Sequence, residues 1–195
     1  MINEQKIFNS FKTKGNLISY KTFGSGHINN TYVSKRDDNG NIIKYTHQRI
    51  NKNVFIHPDE VMENINNATQ HIEAELKKAN ATDIDRRRLE VIKTLDDKLY
   101  YIDEEGNYWR TYGFIDDVCT YEVLESKELA LQVGDAIGKF QKQLSTYTGD
   151  KFHETIKDFH NMNFRYEQFD TAVKNNVKDR LKAVEKEVNF FFNCF

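Results

Sequence analysis

The apolar residues of this chain turn lastingly to helical spacing near Ser126, and that change restricts the folds open to it. As far as about Phe114, apart from one helical stretch after Pro58, they fall in short runs broken by turn residues, as strands require. From Ser126 onward they recur every three or four residues, as helices require. The first run, Leu17 to Phe23, stops at Gly24-Ser25-Gly26. A second passes through Ile28, Tyr32 and Val33, and a third covers about Ile42 to Ile50. Between the last two, Asp37-Asp38-Asn39-Gly40-Asn41 predicts a hairpin turn, because Asn and Gly tolerate positive φ. Pro58 suits a helix start: its ring presets φ, its missing N–H is not needed there, and Asp59 and Glu60 complement the positive helix end. Val61, Ile65, Ala68, Ile72 and Leu76 then share one helical face.

After the charged run Asp83 to Arg88, the segments Leu89 to Thr94, Leu99 to Asp103 and Tyr108 to Ile115 predict further strands. Together these make an antiparallel sheet of about five strands with one helix. Ser126 is a predicted N-cap, followed by the apolar stripe Leu129, Val133, Ile137, Phe140 and Leu144, with Gly134 and Gly138 expected to admit a close neighbour. A last helix is expected from about Tyr166 or Asn176 through Leu181, Val184, Val188 and Phe191. The predicted class is α+β, with a sheet-bearing lobe over 1–115 and a connector and helices over 116–195.

With 28 basic and 30 acidic side chains, the chain has no electrostatic footprint for nucleic acid or an anionic membrane. No stretch approaches the roughly 18 apolar residues of a membrane span, and Met1 to Lys14 is polar, so a cytoplasmic location is expected. Cys119 and Cys194 are far apart and in no metal-ligand spacing, which supports neither a disulfide framework nor a zinc site.

Gly24-Ser25-Gly26-His27 lies between two predicted strands, where glycine lets backbone N–H groups approach an anion; alone, it is equally an ordinary hairpin. Longer strings carry more. Gly24-Ser25-Gly26-His27-Ile28-Asn29-Asn30-Thr31-Tyr32, then Gln48-Arg49-Ile50-Asn51-Lys52-Asn53-Val54-Phe55, then Pro58-Asp59-Glu60-Val61-Met62-Glu63-Asn64-Ile65 resemble successive segments of the N-acetylhexosamine kinases, within the aminoglycoside phosphotransferase and protein-kinase-like family. Trp109-Arg110-Thr111-Tyr112-Gly113-Phe114-Ile115, Gly138-Lys139-Phe140-Gln141 and Glu154-Thr155-Ile156-Lys157-Asp158-Phe159-His160 continue the resemblance in order, over roughly residues 17 to 190.

The resemblance implies a kinase-like small lobe followed by the start of a helical large lobe. ATP phosphates would lie under Gly24, Ser25, Gly26, His27, Ile28 and Asn29, and the adenine beside a connector lined by Tyr112, Gly113, Phe114 and Ile115. Such folds place a cation on the third strand, paired with a glutamate on the next helix. Here Arg49 is assigned the cationic role and Glu63 the paired carboxylate, although Gln48 points to the opposite sheet face and the resemblance leaves the register open. A surface arginine on an edge strand is the plainer reading.

His57-Pro58-Asp59 with Asn64 fits the kinase pattern H-x-D-x-x-x-x-N, and Ile115-Asp116-Asp117 could pass for the metal-binding aspartate. Neither qualifies, because the catalytic loop must follow the connector and His57 to Asn64 precedes it. Beyond Ile115 only His153 and His160 occur, with Thr155 and Met162 two places later. No catalytic residue and no Mg²⁺ ligand is therefore assigned. The expectation is a truncated relative of an ATP-dependent kinase, its amino-sugar acceptor site and Mg²⁺ ligands in the missing part, inactive alone and dimerising through its C-terminal helices. Alternatives are a non-catalytic nucleotide-binding or oligomerising module, or a kinase acting on choline, homoserine or an aminoglycoside. The Gln48-Arg49-Ile50-Asn51 segment favours the hexosamine group.

Overall fold

Local turn chemistry builds the first half of the sheet. The computed structural model describes residues 3–24 and 26–194. Strands β1 (Asn16–Thr22), β2 (Asn30–Asp38) and β3 (Asn41–Arg49) run antiparallel in sequence order. The β2–β3 hairpin closes through Asn39 and Gly40, both at positive φ, in the two-residue loop whose twist matches its strands. Gly15, at φ +76°, leads into β1. A Cβ there would lie 2.5 Å from the Asp37 carbonyl oxygen, so only glycine fits.

The rest of the sheet is long-range. Helix α1 (Glu4–Phe8) precedes β1, and helix α2 (Pro58–Lys78) follows β3, with Pro58 in its first turn as predicted. A short α3 (Ile84–Arg87) occupies the charged run. The expected strands at Leu89 to Thr94 and Leu99 to Asp103 are only two residues each: β4 (Val91–Ile92) and β5 (Tyr101–Ile102). Both pair with the same edge of β6 (Tyr108–Gly113). β4 takes Tyr112 and Thr111, β5 takes Trp109 and Tyr108, and neither has room to extend past the other. The result is a six-stranded antiparallel sheet, ordered β1-β2-β3-β6-β4 with β5 also on β6.

The polar N-terminus supplies the core. Ile7 and Phe8 of α1, with Phe11, pack on Trp109 in one buried cluster, joined by Tyr32, Ile92 and Tyr101. Each such side chain taken out of water contributes about 1.5–3 kcal/mol. Trp109 donates its Nε1 hydrogen to Asp103 Oδ2 at 2.8 Å, so the indole's one polar group is satisfied.

The chain divides into two compact units, Met1–Thr155 and Ile156–Phe195, a later division than at the connector. Helix α4 (Lys127–Leu144) belongs to the first unit because α2 holds its end: His71 Nε2 lies 3.0 Å from the Gln143 carbonyl and 3.1 Å from Thr146 Oγ1. Ser126 caps α4 as predicted, accepting from the Leu129 N–H. No residue of α4 is buried, however; Leu131 is 76% and Phe140 50% exposed. The neighbour expected at Gly134 and Gly138 is missing among the described residues, since a Cβ on either would meet nothing within 4 Å.

In the second unit the single expected helix is two. Helix α5 (Met162–Asn175) stops at Asn176, whose left-handed backbone (φ 40°) ends it. Two short 3₁₀ turns, Val177–Asp179 and Leu181–Ala183, lead to α6 (Glu185–Asn193). Phe169 of α5 packs on Phe191 of α6 with ring centroids 4.2 Å apart. No helix among the described residues is long and apolar enough to cross a membrane.

Candidate functional site

Alternation along the strands gives the sheet of the first unit two chemically different faces. Tyr32, Ser34 and Arg36 of β2, Tyr45, His47 and Arg49 of β3, and Trp109 and Thr111 of β6 share the face that carries α1. Thr31 and Val33, then Lys44, Thr46 and Gln48, then Arg110 and Tyr112 share the second face.

The first face holds a polar relay that the sequence did not announce. Ser34 Oγ lies 2.8 Å from His47 Nε2, and His47 Nδ1 lies 2.8 Å from Thr111 Oγ1. The Phe8 ring stacks on the imidazole at 4.0 Å, and His47 is 1% exposed. Burial, with the nearby Arg36 guanidinium adding to it, pushes the His47 pKa down from 6.5 to about 3, so the ring is neutral. With Ser34, His47 and Thr111 all sealed from solvent, no substrate reaches the hydroxyls, and the relay is structural.

The second face carries one cross-strand row, Thr31–Gln48–Arg110. Arg110 Nε donates to Gln48 Oε1 at 3.0 Å, and Gln48 Nε2 donates to Thr31 Oγ1 at 3.1 Å. The Arg110 guanidinium also lies over the Tyr112 ring, 5.3 Å from its centroid. Burial pushes the Tyr112 hydroxyl up to about 12, against the opposing pull of Arg110, and burial lowers Arg110 itself.

At one end of this face stands the connector. The Gly113 and Phe114 N–H groups are donated to the Glu90 and Lys44 carbonyls. Ile115 is the first connector residue whose N–H has no partner among the described residues. Lys44 pairs with Asp116 at 2.6 Å, and Arg86 of α3 donates to the Asp116 and Asp117 carbonyls, so the connector is pinned from two sides. From the β1 edge of the sheet, Phe23 N–H donates to the Thr31 carbonyl, and the Phe23 ring meets the Phe114 ring edge to face with centroids 5.6 Å apart. The segment after β1 and the connector after β6 thus touch beneath the sheet.

The residues assigned from the sequence do not all converge. Gly24, at φ +84°, and Gly26 have open space where a side chain would be; Ser25 lies outside the described residues. His27 is exposed, and Asn29 Oδ1 accepts from the Asn51 N–H. Arg49 is on the α1 face, with Nη2 2.9 Å and Nε 3.3 Å from Asn30 Oδ1, and it lines a polar cleft of about 340 Å³ with Ile28, Lys52 and Asn53. Glu63 bonds His153 Nε2 at 2.9 Å, while Asn64 exchanges two hydrogen bonds with the His153 backbone. Arg49 and Glu63 are therefore not brought together, and Gln48, not Arg49, shares a face with Phe114. Arg110, bonded to Gln48 on the second face, is not among the residues assigned from the sequence; its mark there is a basic residue in a strand rich in aromatic side chains. Among the described residues no cluster of three or more His, Cys, Asp or Glu side chains could hold a metal ion. No family model matches the sequence.

Proposed function

We propose that this chain binds an ATP-type nucleotide under the second face of its sheet, as the nucleotide-holding lobe of a small-molecule kinase similar to the N-acetylhexosamine kinases. The meeting of Phe23 with Phe114 carries the reading. Two aromatic rings, one just before the glycine-flanked turn and one on the connector, meet edge to face where a planar base would be gripped. The Ile115 N–H, without a partner among the described residues, would read the base edge, and the open backbone at Gly24 and Gly26 would let phosphates approach. The base enters by parting the two rings. No H-x-D motif follows Ile115 in the sequence, so the chain's own contribution is to hold the nucleotide, not to transfer its phosphoryl group.

Calorimetry with adenosine and ATP tests this. Binding is expected in roughly the high-micromolar range or weaker. Phe114→Ala or Phe23→Ala should cost about tenfold or more, the worth of one base–aromatic stack. ATP-dependent phosphorylation of N-acetylglucosamine or N-acetylgalactosamine should be absent. No binding at millimolar adenosine or ATP, or binding indifferent to both substitutions, overturns the reading.

A further inference from the structure

The second face of the sheet buries a positive charge without a negative partner. Arg110 is 9% exposed, and no carboxylate lies within ion-pair distance of it among the described residues. Its protein partners are neutral: the Gln48 amide at Nε and the Tyr112 ring. The other two enclosed arginines are provided for differently. Arg88 sits 3.0 Å from Glu73, and both terminal nitrogens of Arg36 donate to Asn9 Oδ1, at 3.0 and 2.6 Å. Among the described residues the side-chain nitrogens sealed without a hydrogen-bond partner are Nε of Arg36 and Nε of Arg88, the latter near Glu73 but off the hydrogen-bond direction. The terminal nitrogens of Arg110 therefore keep access to the space beneath the sheet, with no protein acceptor among the described residues. A guanidinium does not shed its proton, and a buried unpaired charge is costly. An external anion would remove that cost.

We infer that Arg110 is the phosphate-holding cation of this face, with Gln48 fixing its orientation so that the two terminal nitrogens fork onto one phosphate group. The inference rests on the nucleotide reading and deepens it. Arg110 lies four residues before Phe114, roughly 13 Å along an extended strand, the reach of an extended nucleoside diphosphate whose base sits at the connector. It is also in the row that leads through Gln48 and Thr31 to Phe23, at the start of the glycine-flanked turn. Arg49 on the neighbouring position of β3 projects to the opposite face and is held by Asn30.

The experiment measures affinity for adenosine, ADP and inorganic tripolyphosphate by calorimetry, on the wild type, Arg110→Gln, Gln48→Glu and Arg49→Ala. Gln48→Glu guards against a folding failure, because it supplies an internal carboxylate to Arg110 and keeps the site filled. The wild type should bind ADP at least tenfold more tightly than adenosine and should bind tripolyphosphate. Arg110→Gln and Gln48→Glu should each abolish the ADP-over-adenosine gain and the tripolyphosphate binding while leaving adenosine affinity unchanged. Adenosine bound without any gain from phosphates overturns this inference and leaves the base slot standing. Tripolyphosphate bound through Arg110, with adenosine adding nothing, supports the anion site and overturns the nucleotide reading. Loss of the phosphate gain in Arg49→Ala but not in Gln48→Glu puts the anion at the end of the strand and overturns the inference, as does a wild type that binds no phosphate compound.

Discussion

Acid should unfold the first unit through His47. The ring's pKa falls from 6.5 in the open chain to about 3 in the fold, so between those values the unfolded chain binds the extra proton. Stability from this group is complete above about pH 6.5 and is lost as pH falls toward 3. Each pH unit inside the window costs about 1.4 kcal/mol, and two such units separate pH 6.5 from pH 4.5, so moving from pH 7 to pH 4.5 removes ~3 kcal/mol. A single domain has only about 5–15 kcal/mol in all, so the loss is large.

The assay is urea unfolding at pH 7 and pH 4.5, followed by fluorescence of Trp109, the chain's one tryptophan and a member of the same core. His47→Gln is the comparison: the amide can still bond Ser34 or Thr111 but does not titrate. Carboxylates depressed by their hydrogen bonds, such as Asp103, act equally on both proteins and cancel. The wild type should lose about 3 kcal/mol more than the variant between the two pH values. Equal losses, or an NMR titration of the His47 ring with a midpoint near 6.5, would refute the burial reasoning.

Asp103→Ala should cost about 1–3 kcal/mol, because the buried Trp109 indole N–H loses its acceptor; an unchanged urea midpoint would rule this out. Gly15→Ala should destabilise by more than about 1 kcal/mol and clearly more than Gly40→Ala, since only the former meets backbone at 2.5 Å in addition to its positive φ; equal costs would count against the close approach. Self-association is expected through the exposed helices: light scattering at about tens of micromolar should give a dimer, and Ile137→Glu with Phe140→Glu should return a monomer. A monodisperse wild-type monomer would refute it.

The parts of the fold legible in the sequence are those decided by local chemistry. Asn39-Gly40 names its own turn, and that two-residue loop sets the β2–β3 register, so Thr31 opposite Gln48 follows from the turn alone. Pro58 and Ser126 mark helix starts for equally local reasons. No local rule reports that β4 and β5 must share one edge of β6, which is why six-residue and five-residue expectations shrank to two residues each. Ile7, Phe8 and Phe11 look unremarkable in a polar terminus until the tertiary fold gives them Trp109 to cover. For the candidate site, the turn fixes which β3 residues share a face but not which face meets the connector, so the sequence leaves the choice between Gln48 and Arg49 open. The pairing of Gln48 with Arg110 depends on β3–β6 register, which spans two helices and two strands and leaves no trace in spacing.

The dependence of the core on α1 also bears on synthesis. Phe8 and Phe11 leave the ribosome early, yet the surface they cover is finished only when Trp109 has emerged and Thr94 has bridged to Phe11. The β2–β3 hairpin can close alone meanwhile, but one face of it, with Tyr32, Tyr45 and the polar groups of Ser34 and His47, must wait bare for most of the first unit to be translated. Long-range closure of this kind is slow and leaves nascent chains open to aggregation. In a growing cell, chaperone contact with the nascent chain should peak before Trp109 clears the exit tunnel and fall sharply once it has.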